Sequence, residues 1–374
     1  MRILYDGRIL QNPSPSGVGY YAQFLLQGLL SSDDTTLKIF TNSFQTRPLG
    51  LESALPPHAS LYTTRYPNKL LTLAWSLGRF PAVDKLFADS DVVLCPHISV
   101  LPETKLPKVV TIHDLSYEHF PQFHGPKERF WHQIAARSAK QADLLIAVSY
   151  ATKEDILKIW GIESRKVKVV YPGAPDLSET VEADFADVSR RFNLRAPYLL
   201  AVGTLEPRKN LVRLIEAFAN VSNEPTCRDL HLALAGARGS DSHRIEQAIH
   251  KFKLQDRVTI TGYITDEIKK SLYRHAEMLV YPSLYEGFGF PLLEAMQMHL
   301  PVIASRAASI PEVTGEAAVL VDPYNSEELA QAIRDMLEDS ALRERCRTLG
   351  KARVKRFSWQ ACSEQVREAC RSLK

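Results

Sequence analysis

Short β-type runs alternate with helical patterns along the whole of this chain, and that alternation constrains the fold more than any other feature. A parallel neighbour in a sheet needs a crossover long enough to hold a helix, so strand and helix in regular alternation build parallel sheets. In the first half the expected strands are Arg2–Tyr5, Thr36–Phe40, Asp91–Leu94, Val109–Ile112, Leu144–Val148 and Val167–Val170. In the second half they are Tyr198–Val202, Leu230–Ala235, Val258–Thr261, Met278–Tyr281, Val302–Ala304 and Ala318–Val321. Helical patterns such as Gly19–Leu30, Leu211–Ala219, Asp266–His275 and Ser326–Leu337 separate them. The run Tyr171-Pro172-Gly173-Ala174-Pro175 stops the last strand of the first half, and the acidic stretch that follows, to about Asp187, suits a connection. At 374 residues the chain exceeds one ordinary core. The expectation is therefore an α/β protein of two Rossmann-like, doubly wound domains, the first ending near residue 175.

Composition excludes several classes. Hydrophobic content of 45% and charged content of 24% are those of a globular protein, and no apolar run is long enough to span a membrane. The net charge of +3 gives no argument for nucleic acid, and the first half is only mildly the more basic. Asp6 falls where a secretory leader keeps its apolar run. The five cysteines are scattered without a Cys-x-x-Cys pair, so neither a disulfide framework nor a zinc site is expected and a cytoplasmic setting is the default.

In doubly wound sheets ligands bind outside the carboxyl ends of the strands, which makes polar and glycine residues just after a strand the candidates for chemistry. The richest stretch is Tyr285-Glu286-Gly287-Phe288-Gly289-Phe290-Pro291-Leu292-Leu293-Glu294. Gly287 and Gly289 let the backbone approach a ligand, Pro291 suits the first helical position, and a helix N-terminus offers N–H groups and positive dipole to an anion. With Glu294 in the first helical turn, it and Glu286 flank one ligand, and a polyol joined to phosphate fits. The plainer reading is a glycine loop with two exposed glutamates.

Three further stretches lie at strand ends. In Gly203-Thr204-Leu205-Glu206-Pro207-Arg208-Lys209-Asn210, the adjacent Arg208 and Lys209 are placed to neutralise a diphosphate, or else form a solvated basic pair. In Thr111-Ile112-His113-Asp114-Leu115, His113 is placed to donate to a sugar hydroxyl or shuttle a proton, or else is satisfied by loop carbonyls. In Ser14-Pro15-Ser16-Gly17-Val18-Gly19-Tyr20, the glycines permit close approach to phosphate, or simply shape a turn. Asp89-Ser90-Asp91 matches a metal-binding pattern, but Asp91 leads straight into an apolar strand and a hard metal needs more oxygen ligands. A carboxylate pair also suits a glycosidase, although the glycines and the basic pair fit phosphate handling better.

Together these stretches resemble the retaining, nucleotide-sugar-dependent glycosyltransferases of the GT-B fold, family 4 (group 1). The likeness includes Val148-Ser149-Tyr150-Ala151-Thr152-Lys153, Val169-Val170-Tyr171-Pro172-Gly173, Tyr281-Pro282-Ser283-Leu284 and Pro311-Glu312-Val313, and so runs over nearly the whole chain. It implies two domains facing across a cleft: 1–175 on the acceptor side, 176–355 binding the nucleotide sugar, and a segment 356–374 crossing back onto the first. It further implies that Glu286 contacts the donor sugar, that the amides of Gly287, Phe288, Gly289 and Phe290 line the sugar and phosphate site, and that Glu294 binds ribose hydroxyls. Lys209 matches the diphosphate-binding lysine, His113 the histidine near the reacting centre, and Gly17, Val18 and Gly19 the loop reaching diphosphate and acceptor.

The sequence departs from the family at Thr204, where many members carry arginine, and Arg208 is the replacement in the subgroup that shares Glu-Pro-Arg-Lys-Asn. That subgroup looks enriched in mannosyltransferases, so the implied reaction moves mannose from GDP-mannose to a saccharide or lipid-linked acceptor, in polysaccharide biosynthesis, without metal or other cofactor. The alternatives are a UDP-hexose donor or a protein that binds a nucleotide sugar without turning it over. A dinucleotide-dependent oxidoreductase lacks support, since Gly17-Val18-Gly19 has neither the third glycine nor the ribose-binding acid downstream. No nucleic-acid partner is expected. Peripheral contact with the inner face of a membrane would follow from a lipid-linked acceptor. Tyr66–Phe80, with Leu70, Leu71, Leu73, Trp75 and Leu77, is either an ordinary core helix or an acceptor- or membrane-facing element.

Overall fold

A computed structural model describes residues 1–11, 17–42, 55–77, 89–101 and 104–373. It falls into two units, one made of Met1–Gly173 with Phe357–Lys374 and the other of Ala174–Arg356.

The sheet of the first unit comprises β1 (Arg2–Asp6), β2 (Thr36–Asn42), β3 (Ala59–Thr64), β4 (Val92–Cys95), β5 (Lys108–Ile112), β6 (Leu144–Ala147) and β7 (Val167–Val169). Their spatial order is β3-β2-β1-β4-β5-β6-β7 and every pairing is parallel. All residues of β4 and β6 are buried, as strands covered by helices on both faces must be. β3 is absent from the expected strands. It is an edge strand with polar, half-exposed side chains, so it shows no apolar run.

The final helix, Trp359–Arg371, belongs to this unit and packs on the Gly17–Leu30 helix. A side chain on Gly28 would meet Ser363 Oγ at 2.7 Å, and Trp359 stacks on Phe24 with ring centroids 5.1 Å apart. The helix Asn68–Ser76 buries Leu71 and Trp75 while Leu70, Leu73 and Leu77 stand exposed. Within the expected Tyr66–Phe80 element the helix Asn68–Ser76 is thus core on one face and apolar but exposed on the other, while 78–80 lie outside the described residues.

The second unit holds β8 (Tyr198–Val202), β9 (His231–Ala235), β10 (Val258–Gly262), β11 (Met278–Tyr281), β12 (Val302–Ser305) and β13 (Ala318–Val321), all parallel in the order β10-β9-β8-β11-β12-β13. Its core joins Leu199, Leu232, Leu234, Val280 and Ile303 of the sheet to Leu214 and Phe218 of the Leu211–Ser222 helix and Ile333 of the Ser326–Glu338 helix. Each such fully buried side chain contributes about 1.5–3 kcal/mol of hydrophobic stabilisation. The chain moves outward from β8 to β9 and β10, then returns to lay β11 on the other side of β8. The loops after β8 and β11 therefore leave neighbouring strand ends at the switch point, where open α/β sheets bind their ligands in a crevice.

Candidate active site

The two loops at that switch point carry the basic pair and Glu286. After β8 the chain passes through Gly203, whose φ of +143° is one that L side chains rarely adopt, and a Cβ there would meet Lys209 Cε at 3.0 Å. The single turn Pro207–Lys209 follows, and then Asn210, left-handed at φ +58°. Asparagine tolerates that conformation, and its Nδ2 donates to the carbonyls of Pro282 (3.1 Å) and Pro323 (2.7 Å), tying the loop to those after β11 and β13. The Leu284 amide donates to the Arg208 carbonyl at 2.8 Å, a further bridge between the two loops.

This scaffold brings Arg208, Lys209 and Glu286 together. Lys209 Nζ donates to Glu286 Oε1 at 2.7 Å and to the Tyr281 hydroxyl at 2.9 Å, while Arg208 Nη1 donates to Glu286 Oε2 at 2.6 Å. Lys209 and Glu286 are only 8% and 7% exposed, so the solvated-pair reading fails for Lys209 and the exposed-glutamate reading fails for Glu286. Burial pushes the Glu286 carboxyl up, but the charges of Arg208 and Lys209 outweigh it and hold it at about 2. Burial draws the Lys209 ammonium below its ordinary value, a pull that Glu286 opposes. Arg208 also holds Glu206 at 3.0 Å and stays part-exposed, so one buried and one accessible cation face the crevice. At position 204 the side chain is threonine, and the guanidinium on Glu286 comes from Arg208.

The Glu286-to-Glu294 segment is pinned from below. Ser309 Oγ donates to the carbonyls of Glu286 (2.8 Å) and Phe288 (3.0 Å), and Gly289 turns at φ +113° into the Phe290–Gln297 helix. Pro291 takes the second helical place rather than the first. Glu294 accordingly lies beyond the first turn where the sequence pattern set it, because the helix opens at Phe290. It is buried and paired away from Glu286: Lys269 Nζ reaches its Oε1 at 2.8 Å and the Tyr273 hydroxyl its Oε2 at 2.8 Å. Sequence reasoning missed both partners. Their signal was the four-residue spacing of Lys269 and Tyr273, which puts them on one face of the Asp266–His275 helix.

In the first unit His113 follows β5 directly. Its Nε2 lies 2.8 Å from the Pro96 carbonyl, which only accepts, so Nε2 carries the proton and Nδ1 is left as the ring's acceptor. Burial lowers its pKa, against the Pro96 bond and the Asp114 charge. The ring meets Tyr21 edge-on at 4.7 Å. Gly17, Val18 and Gly19 form the first turn of the Gly17–Leu30 helix rather than the loop before it; residues 12–16 lie outside the described residues. Asp91 is spent on Arg2, accepting from its backbone amide (2.8 Å) and Nη2 (3.0 Å), with Asp89 3.8 Å from the same guanidinium. Among the described residues no three His, Cys, Asp or Glu side chains group as a metal site.

Comparison with known proteins identifies the family. Residues 183–353 match the family model for glycosyl transferases group 1, and residues 15–176 that for glycosyltransferase family 4. O-antigen chain mannosyltransferase B of Escherichia coli is 32% identical over 277 residues, 73% of this chain and 72% of that protein. O-antigen chain mannosyltransferase RfbU of Salmonella typhimurium is 29% identical over 230 residues, 61% of this chain and 60% of that protein. Among solved structures, sucrose-phosphate synthase from Thermosynechococcus elongatus superposes with TM-score 0.73 at 24% identity, over 100% of this chain and 98% of that one. The Anabaena protein HepE in complex with UDP-glucose gives 0.74 at 21%, over 100% of both. The chain thus belongs to the group 1, family 4 glycosyltransferases, hexosyltransferases of the GT-B fold, and within them it is of the mannosyltransferase-like type.

Proposed function

We propose that this chain transfers mannose from GDP-mannose to a saccharide or lipid-linked saccharide acceptor with retention at the anomeric carbon. The observation that carries the reading is the convergence of Lys209, Arg208 and Glu286 at the β8/β11 switch point. Two fixed cations beside a helix N-terminus suit the negative charge that develops on a departing nucleoside diphosphate, and stabilising that charge is the largest service a protein performs in such a transfer. Glu286 then orients the donor sugar, the Gly287-to-Phe290 backbone lines sugar and phosphate, and Glu294 takes the ribose. The leaving phosphate accepts the acceptor's proton on the same face of the sugar. For the first unit we keep the roles that the family implies: His113 towards the reacting sugar, Gly17 to Gly19 towards diphosphate and acceptor. The mannose donor is supported by the mannosyltransferases among the relatives and by the Glu-Pro-Arg-Lys-Asn run at 206–210.

Hydrolysis of a panel of nucleotide sugars tests the donor: GDP-mannose is expected to turn over fastest, and preference for a UDP-hexose overturns the assignment. No helix among the described residues is long and apolar enough to cross a membrane. Peripheral membrane contact is supported by Leu70, Leu73 and Leu77, and by Phe130 and Trp131 exposed beside Arg129 on the Pro126–Ala139 helix. Co-sedimentation with phosphatidylglycerol vesicles, lost in a Trp131→Ser, Arg129→Glu variant, is the expected result; no binding by the unaltered chain ends that part of the proposal.

A further inference from the structure

Two side chains of one helix hold the Glu294 carboxylate. The Asp266–His275 helix presents Asp266, Lys269 and Tyr273 along one stripe, at three- and four-residue intervals. Lys269 Nζ bridges Asp266 Oδ1 (2.9 Å) and Glu294 Oε1 (2.8 Å), and the Tyr273 hydroxyl donates to Glu294 Oε2 at 2.8 Å. Each carboxylate oxygen therefore receives one donor from a different side chain. An ionised carboxylate has about four lone-pair positions, two on each oxygen. With one position per oxygen occupied, each oxygen keeps one for an incoming hydroxyl, and the spacing of the two suits a vicinal diol.

We infer that Lys269 and Tyr273 are positioning residues that lock the Glu294 carboxylate so that its remaining lone pairs accept from the 2′- and 3′-hydroxyls of a ribose, which sets the preference for ribonucleotide over deoxyribonucleotide donors. The inference rests on the ribose role proposed for Glu294 and adds what fixes its geometry. A carboxylate free to rotate accepts one hydroxyl as readily as two; one clamped on both oxygens discriminates, because loss of the 2′-hydroxyl leaves a buried acceptor unpaired. The clamp is rigid at its base, since the Tyr198 hydroxyl donates to the Leu272 carbonyl at 2.7 Å and fastens the helix to β8. Burial, and then Glu294, keep the Tyr273 phenol protonated, while Glu294 and Asp266 carry Lys269 above its ordinary value against the pull of burial, so both remain donors.

The test is calorimetric binding of GDP and UDP against their 2′-deoxy counterparts, in the unaltered chain and in the Tyr273→Phe, Lys269→Met and Lys269→Arg variants. The unaltered chain is expected to bind the ribonucleotide about 10-fold or more tighter, the worth of one hydrogen bond to a charged acceptor. Tyr273→Phe and Lys269→Met are expected to shrink that ratio several-fold, with Lys269→Arg recovering most of it. A merely structural role would weaken both nucleotides together and leave the ratio unchanged, and an unchanged ratio overturns the clamp. An unaltered chain that shows no ribose preference, or binds neither diphosphate, instead overturns the role of Glu294 beneath it. Tyr273→Phe removes a single oxygen, so its ratio remains measurable where Lys269→Met fails to fold.

Discussion

Lys209 Nζ lies 2.7 Å from Glu286 Oε1, and with Arg208 on the other carboxylate oxygen the two cations already share one buried anion. In the proposed reaction a diphosphate arriving at this place would exchange with that anion rather than meet bare charge. Glu286 would be released to the sugar hydroxyls as the phosphate takes over the cations. Such an exchange keeps the unliganded loops ordered, because a buried charge without a partner is strongly destabilising.

Lys209→Ala removes the buried member of the cation pair. Turnover of the nucleotide-sugar donor is expected to drop by about 10²–10³ or more, the scale of losing one fixed donor to developing charge in a dry site. Steady-state hydrolysis of the donor reads this directly, and near-normal turnover would sink the leaving-group role.

Glu286→Gln separates the two services of the carboxylate. It leaves Arg208 and Lys209 without their internal anion, so the free nucleoside diphosphate is expected to bind more tightly while sugar transfer falls. Acid stability carries the same signature. The folded pKa of about 2 lies below the ordinary 4.5, so the ion cluster stabilises the fold above the higher value and loses that contribution as pH falls towards the lower one. The contribution is on the order of 3 kcal/mol. Thermal melting between pH 5 and pH 2 is expected to fall less steeply for Glu286→Gln than for the unaltered chain.

Asn210→Ala tests the scaffold rather than the chemistry. Asn210 holds a left-handed conformation and two carbonyls from separate loops. Alanine pays for the backbone and leaves both carbonyls short of a donor, a loss of about 2–3 kcal/mol. Chemical denaturation is the measurement. A midpoint unchanged from that of the unaltered chain would show that the loop is held elsewhere.

The strands of both sheets were legible because most are buried on two faces and read as unbroken apolar runs, as in Val92–Cys95 or Leu279–Tyr281. The edge strand Ala59–Thr64 was not, because a half-exposed edge carries no such run. At the site, Lys209, Arg208 and Glu286 were visible singly, each beside a strand end or a glycine turn. Their mutual pairing was not, since it joins residues 77 and 78 positions apart through the β8/β11 adjacency. Glu294 was visible through its spacing from Glu286, while its holders Lys269 and Tyr273 looked like an ordinary polar helix face. Local pattern shows which residues carry chemistry; the sheet order decides which of them meet.

Turnover is expected to survive a chelator. The positive charge at the β8/β11 crevice comes from Arg208 and Lys209, and the Asp-x-Asp pair is engaged by Arg2 at the edge of β1. Asp91→Asn should lower the melting temperature through that lost pairing without reducing the rate. Complete loss of activity in EDTA, restored by a divalent ion, would return the aspartates to consideration.

His113 offers the last test, on the side of the first unit. Its Nε2–H is committed to the Pro96 carbonyl, and burial keeps the ring neutral below its ordinary 6.5. A histidine whose folded pKa is depressed binds its proton more readily once unfolded. Stability is therefore expected to decline as pH falls below about 6.5, until the folded pKa is passed. His113→Gln keeps a donor for Pro96 and removes the titration, so the difference between the two melting curves from pH 7.5 to pH 5 isolates this residue from His97, which burial holds at about 4. The unaltered chain should lose more melting temperature over that interval than the variant. Parallel curves would show that the ring titrates without cost, and would remove the reason for treating its Nδ1 as a standing acceptor for a substrate hydroxyl.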